Sequence, residues 1–168
     1  MNFPEKFEVL IVTLSDRASR GEYDDLSGPR IKEMISDFFT SESWKCNITI
    51  SLLPDDEIIL KELLVSASNT CNLIITTGGT GIGPRDITIE TVRPLLEKEI
   101  PGIMEFIRIK YGTLKPNALL SRGVAGLMGK SLIYTLPGSV RAVEEYMNEI
   151  VKTLKHTFYM LYGVDKHM

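Results

Sequence analysis

Cysteine is scarce in this chain: Cys46 and Cys71 are the two present among 168 residues. Neither sits in a cysteine–histidine spacing, which excludes a structural zinc site. A chain of this length buries roughly 70% of its unfolded surface and needs no cross-links to fold. Both cysteines stand beside or inside apolar runs, so they read as buried free thiols of a reducing compartment. Histidine is equally sparse; His156 and His167 lie near the C-terminus and make a weak catalytic pair. No apolar run approaches the ~20 residues that a membrane-spanning helix needs. Basic residues form no stripe and the net charge is −3, which argues against a nucleic-acid partner. The opening stretch MNFPEKFEVLIVTLSD lacks a basic n-region and a small-residue cleavage site, so it does not read as a signal peptide. Internal repeats and low-complexity tracts are missing too. These absences leave the expectation of one cytoplasmic domain spanning residues 1–168.

What is present is an alternation of two periodicities. Residues 7–14, FEVLIVTL, are apolar and β-branched and read as a buried strand. After a polar segment, Ser27-Gly28-Pro29 opens a helix carrying Ile31, Met34, Ile35 and Phe38. Residues 46–53 form the second strand, and Pro54-Asp55-Asp56-Glu57 opens a helix whose acidic start suits the positive end of its dipole. Residues 71–77 are the third strand. Helical spacing resumes over 89–96 and 101–111, a late strand covers 131–136, and a long amphipathic helix begins at Val140. Residues 114–129 fit either a small hairpin or a helix across one edge. Strand alternating with helix predicts an α/β fold with a mostly parallel sheet between helices.

In such a sheet, ligands bind beyond the C-terminal strand ends. The residues there are Ser15, Asp16 and Arg17; Asp55 and Asp56; Gly78, Gly79, Thr80 and Gly81, with Asp86 just after; and Pro137, Gly138 and Ser139. Parallel strands would gather all four groups on one edge, forming a site for a phosphorylated ligand with carboxylates able to hold a divalent cation. The stretch TTGGTGIGPRD resists the common phosphate patterns. A dinucleotide fingerprint would need glycine at 84, which is Pro84. A P-loop at Gly129-Lys130-Ser131 would need glycine at Val124 and a following helix, whereas a strand follows. The loop is then either an anion cradle of another kind, with Thr76, Thr77 and Thr80 adding hydroxyls, or a tight turn stiffened by Pro84. Asp55, Asp86 and Ser139 could each be a helix cap, Ser15-Asp16-Arg17 a solvated loop, and Asp24 and Asp25 solvated carboxylates.

Five segments, in order, resemble the molybdopterin adenylyltransferases, the Mog-type branch also found as the G domain of gephyrin: SDRASRGEYDDLSGP, LLPDDE, TTGGTGIGPRDIT, LLSRGVAG and LPGS. The resemblance implies a three-layer α/β sandwich with a mostly parallel central sheet, usually a homotrimer. It implies transfer of the adenylyl group of ATP to the terminal phosphate of molybdopterin, with Mg²⁺ and release of pyrophosphate. Asp55 and Asp86 match the family's catalytic carboxylates and would also be the Mg²⁺ ligands. Thr77, Gly78, Gly79, Thr80 and Gly81 would hold the molybdopterin phosphate, and Ser15, Asp16, Ser121, Arg122, Pro137, Gly138 and Ser139 would complete the pterin and nucleotide pockets. A molybdenum-inserting enzyme is the implied transient partner. The chain departs from the pattern at Ile89, where many relatives have proline, and at Arg141, where lysine is common. The alternatives are a non-catalytic molybdopterin carrier and an interaction scaffold on the same fold.

Overall fold

The computed structural model describes residues 2–164. Six strands form one sheet: β1 (Lys6–Leu14), β2 (Lys45–Leu53), β3 (Leu73–Thr77), β4 (Lys98–Glu99), β5 (Ala125–Met128) and β6 (Ser131–Leu136). Their order is β2-β1-β3-β6-β5-β4. The first four in that order are parallel, whereas β5 runs antiparallel to β6 and β4 antiparallel to β5. Residues 114–129 therefore resolve into a 3-10 turn at Pro116–Leu120 and the β5 arm of a hairpin, whose turn uses Gly129 at φ 58°.

Successive side chains of a strand point to opposite faces, and this splits the core in two. Phe7, Val9, Ile11, Leu73, Ile75, Leu132 and Tyr134 pack under α2 (Ser27–Ser41), α5 (Pro101–Gly112) and α6 (Val140–Tyr162). Leu10, Val12, Leu14, Ile74 and Ile133 pack under α3 (Glu57–Ala67) and α4 (Thr88–Val92). The result is three layers, with the one-turn helix α1 (Asp16–Ser19) following β1. It also explains the unbroken apolar runs of β1, β3 and β6, which helices cover on both faces. At the N-terminal end of β1, Phe7 lies among Phe39, Trp44 and Phe158, with its ring centroid 4.7 Å from that of Phe158.

Two element ends differ from the sequence reading by two residues or more. The helix expected over 89–96 stops at Val92 and becomes a 3-10 turn, because Pro94 has no N–H to donate to Glu90. Strand β3 begins at Leu73. Ahead of it, the Asn72 side chain accepts from the Glu8 N–H at 2.7 Å and donates to the Tyr162 hydroxyl at 2.7 Å. Cys46 and Cys71 are free thiols, as expected, but only half-buried, and burial pushes both thiols up. β2 is an edge strand, which leaves Cys46 partly open.

Candidate functional site

The register aligns Leu14 with Leu53, and Thr77 with both Thr13 and Leu136. The four connections leaving these strands thus face one cavity of about 1000 Å³ at the C-terminal edge of the sheet. Its volume matches the upper range of ligand pockets. Ser15, Asp16, Asp55, Gly78, Gly79, Thr80, Gly81, Asp86, Ser121, Pro137, Gly138 and Ser139 all line it. His156 is exposed on α6 away from this wall, and His167 lies outside the described residues.

The glycine loop is shaped by close approach. Gly78 has φ 99°, and a Cβ there would stand 2.3 Å from the Leu14 carbonyl oxygen. Gly79 has φ 62°, and its Cβ would meet Thr88 Oγ1 at 2.5 Å. The Gly78 N–H donates to the Leu136 carbonyl at 2.9 Å, so it is not a ligand donor. Thr77 is also removed from the cradle: it is buried, and its hydroxyl donates to the Pro137 carbonyl at 2.9 Å, which ties the glycine loop to the Pro137–Ser139 turn. The loop therefore offers the cavity the N–H groups of Gly79, Thr80 and Gly81, which have no protein acceptor among the described residues, and the Thr80 hydroxyl.

The carboxylates occupy distinct roles. Asp56, not Asp55, caps α3, accepting from the Ile58 and Ile59 N–H groups at 2.9 and 3.0 Å. That leaves Asp55 to the cavity. Its carboxylate accepts from the Asp16 N–H at 3.0 Å, and its own N–H donates to the Asp16 carboxylate at 3.0 Å. Asp86 does not cap α4 either; it folds back to accept from the Gly83 N–H at 2.7 Å. Ser139 does cap α6, accepting from the Ala142 N–H at 3.3 Å. Asp25 is no solvated carboxylate. It accepts from the Ser27 and Gly28 N–H groups, each at 3.0 Å, and from the Thr13 hydroxyl at 2.7 Å. An acid two residues before a Ser-Gly-Pro helix start is the spacing that carries this capping signal.

Arg122 does not line the cavity. Its guanidinium pairs with Glu90 and donates to the Gly81 carbonyl at 2.7 Å, holding the loop from outside. The pair raises the Arg122 guanidinium and lowers the Glu90 carboxyl, each mainly through the hydrogen bond to the other. Sequence reasoning missed Arg85, which pairs with the Asp16 carboxylate and donates to the Asp55 carbonyl at 3.3 Å. It also missed Tyr23, whose hydroxyl shares a 2.7 Å hydrogen bond with Ser15. Lys115 was missed as well; with Arg141 it pairs to Glu145 at the cavity wall, at 3.0 and 3.2 Å. Arg85 was findable, since it stands beside Asp86 in sequence.

The Asp16 N–H that bonds Asp55 does not offset the latter's desolvation. Burial pushes the Asp55 carboxyl above its ordinary 3.8, and the Asp16 and Asp86 charges add to this. Asp16 moves the other way, held down mainly by the Asp55 N–H and then by Arg85. A raised folded-state value means that ionised Asp55 costs stability as pH rises above the ordinary carboxylate range. Asp55→Asn should therefore raise Tm at pH 7, with the gain vanishing toward pH 3, where both states are protonated. Scanning calorimetry across pH checks this; a loss of stability at pH 7 would contradict it. Functional carboxylates are often held at such a cost.

Fold and cavity together define a three-layer α/β protein with unpaired loop N–H groups, among the described residues, and carboxylates at the strand ends, the edge where open α/β sheets bind ligands. Residues 10–156 match the family described as a probable molybdopterin binding domain, and the chain belongs to that family. It is similar to the molybdopterin adenylyltransferase of Helicobacter pylori, at 32% identity over 91% of this chain and 86% of that protein. It is 39% identical to molybdenum cofactor biosynthesis protein B of Staphylococcus carnosus, over 90% of this chain and 88% of that one. Among solved structures, the molybdopterin biosynthesis enzyme MoaB of Thermus thermophilus superposes with TM-score 0.83 at 36% identity, over 94% of this chain and 97% of that one.

Proposed function

We propose that this chain serves molybdenum cofactor biosynthesis by adenylylating molybdopterin. A terminal phosphate oxygen of molybdopterin attacks the α-phosphorus of ATP. The bond from that phosphorus to the bridging oxygen breaks, and pyrophosphate leaves. The observation that carries this reading is the meeting of Asp55 and Asp86, from two different strand ends, with the free N–H groups of Gly79, Thr80 and Gly81 in one cavity. Two anionic reactants repel each other, so the catalyst's work is alignment and charge neutralisation. The cradle N–H groups would hold the molybdopterin phosphate. Arg85 stands beside the carboxylates, where it can turn to the triphosphate. Ser15, Ser121 and the Pro137–Ser139 turn would bound the pterin and nucleotide.

Mg²⁺ fits this donor set only in one form. Among the described residues no three His, Cys, Asp or Glu side chains converge as a metal cage. Asp55 and Asp86 would hold the ion as two carboxylate ligands, with phosphate oxygens and water completing its shell. Bound there, it would neutralise charge on the triphosphate. A homotrimer, a cytoplasmic location and transient contact with a molybdenum-inserting enzyme belong to the same reading and rest on the family pattern. Among the described residues, no helix is long and apolar enough to cross a membrane.

The test is pyrophosphate release by the purified protein. Release should require both Mg-ATP and molybdopterin. Molybdopterin binding without release would leave a carrier, and would defeat the proposal.

A further inference from the structure

The tip of the loop between β3 and α4 has little to hold it by packing. Ile82, at 75% exposure, anchors nothing, and Gly83, Pro84 and Arg85 are exposed. Besides the Gly83–Asp86 bond and the Arg85–Asp16 pair, hydrogen bonds to the loop's carbonyls hold it. Thr88 supplies the first two: its hydroxyl donates to the Gly78 carbonyl at 2.8 Å and its N–H to the Gly79 carbonyl at 3.1 Å. Arg122 supplies the next three. Its main-chain N–H donates to the Thr80 carbonyl at 3.0 Å, its Nε to the Gly81 carbonyl at 2.7 Å, and its Nη2 to the Asp86 carbonyl at 3.5 Å.

The first three of these bonds aim the cavity-side donors, and the two guanidinium bonds hold the chain from Gly81 to Asp86. A trans peptide is planar, with its C=O and the next residue's N–H on opposite sides. Holding the carbonyls of Gly78, Gly79 and Thr80 therefore fixes the opposed N–H groups of Gly79, Thr80 and Gly81, which have no protein acceptor among the described residues. Arg122 is itself held. Glu90 takes both terminal nitrogens, one of them at 3.1 Å, and Glu90 stands on α4, into which the loop runs. Two residues beyond Arg122, the Val124 N–H donates to Thr135 Oγ1 of β6 at 2.7 Å, which ties the segment to the sheet.

We propose that Glu90 and Arg122 form a clamp that positions the glycine loop and Asp86, with Arg122 acting through the loop carbonyls and not on the substrate. The proposal rests on the adenylylation reading for its kinetic consequence only. The guanidinium fork is essential to it. Its donors project in one plane along several directions, whereas a lysine offers three donors from one nitrogen and cannot reach Glu90, Gly81 and Asp86 together.

The experiment compares wild type with Arg122→Lys and Glu90→Gln, measuring Tm, kcat and both KM values by pyrophosphate release, and loop amide hydrogen exchange. Arg122→Lys keeps one ion pair, so its Tm should stay within about 3 °C of wild type. Its kcat should fall about 10-fold or more, since a reacting group displaced by a fraction of an ångström loses alignment, while both KM values stay within about twofold. Glu90→Gln should lose about 3–10-fold in kcat by loosening the same fork. The amides of Gly83, Asp86 and Thr88 should exchange about 10-fold faster in both variants, with those of β3 unchanged. Wild-type kcat in Arg122→Lys, or a rise in molybdopterin KM matching the fall in kcat, would overturn the clamp; the second result would return Arg122 to substrate binding. A wild type that releases no pyrophosphate defeats the adenylylation reading alone, and the exchange rates then decide the clamp by themselves.

Discussion

Asp86→Asn should lower kcat for pyrophosphate release by about 10²–10³-fold while leaving molybdopterin affinity within about threefold. The substitution is nearly isosteric. Its amide oxygen can still accept from the Gly83 N–H, the 2.7 Å bond that closes the loop on itself. Loop shape, and with it the cradle at Gly79–Gly81, should therefore persist. What disappears is a negative charge at the point where a cation on the triphosphate would be held. Paired measurements decide the matter: steady-state turnover, and molybdopterin binding by calorimetry without ATP. Equal losses in both would make Asp86 a binding residue and the mechanism above wrong.

The second large effect concerns the backbone. Gly78→Ala should destabilise the protein by about 3–5 kcal/mol, lowering Tm by roughly 10 °C or preventing accumulation of folded chain. Two costs add. The φ of 99° lies where L side chains are strained, and the new Cβ would stand 2.3 Å from the Leu14 carbonyl oxygen. That oxygen belongs to a central strand of the sheet, so neither partner can step aside. Gly102→Ala is the control. A Cβ there meets nothing within 4 Å, and the residue sits in the first turn of α5. It should be neutral, or stabilising by about 0.5–1 kcal/mol. Thermal melts of the two variants test the contrast. A Gly78→Ala protein as stable as wild type would mean that the loop does not need the backbone described here.

Much of this architecture is legible without coordinates, for a reason visible in particular strands. β1, β3 and β6 are covered on both faces, so burial demands apolar residues at every position and the sequence shows it as unbroken runs. Parallel pairing then places Ser15, Asp55, Gly78 and Gly138 at one edge. The two-residue β4 escaped notice because it is exposed and too short to carry a period. β5, half of a hairpin, stayed ambiguous because its four residues suit a helix as well.

The candidate site divides along similar lines. The C-terminal ends of β1, β2, β3 and β6, the glycine positions and the acids near them are legible in the chain alone, because burial and backbone conformation act on each residue locally. What each polar group does depends on which partners the fold brings to it. Asp55 and Asp56 are neighbours of identical chemistry; Asp56 reaches the first N–H groups of α3, so Asp55 is left to the cavity. Thr77 and Thr80 differ by three residues, yet one donates to the Pro137 carbonyl and the other faces the ligand space. The Arg122 guanidinium donates to Glu90 and to the Gly81 carbonyl, 32 and 41 residues away. A hydrogen bond is strong only at one distance and direction. Which donor reaches which acceptor is therefore fixed by elements remote in the chain, and a linear pattern does not carry that information.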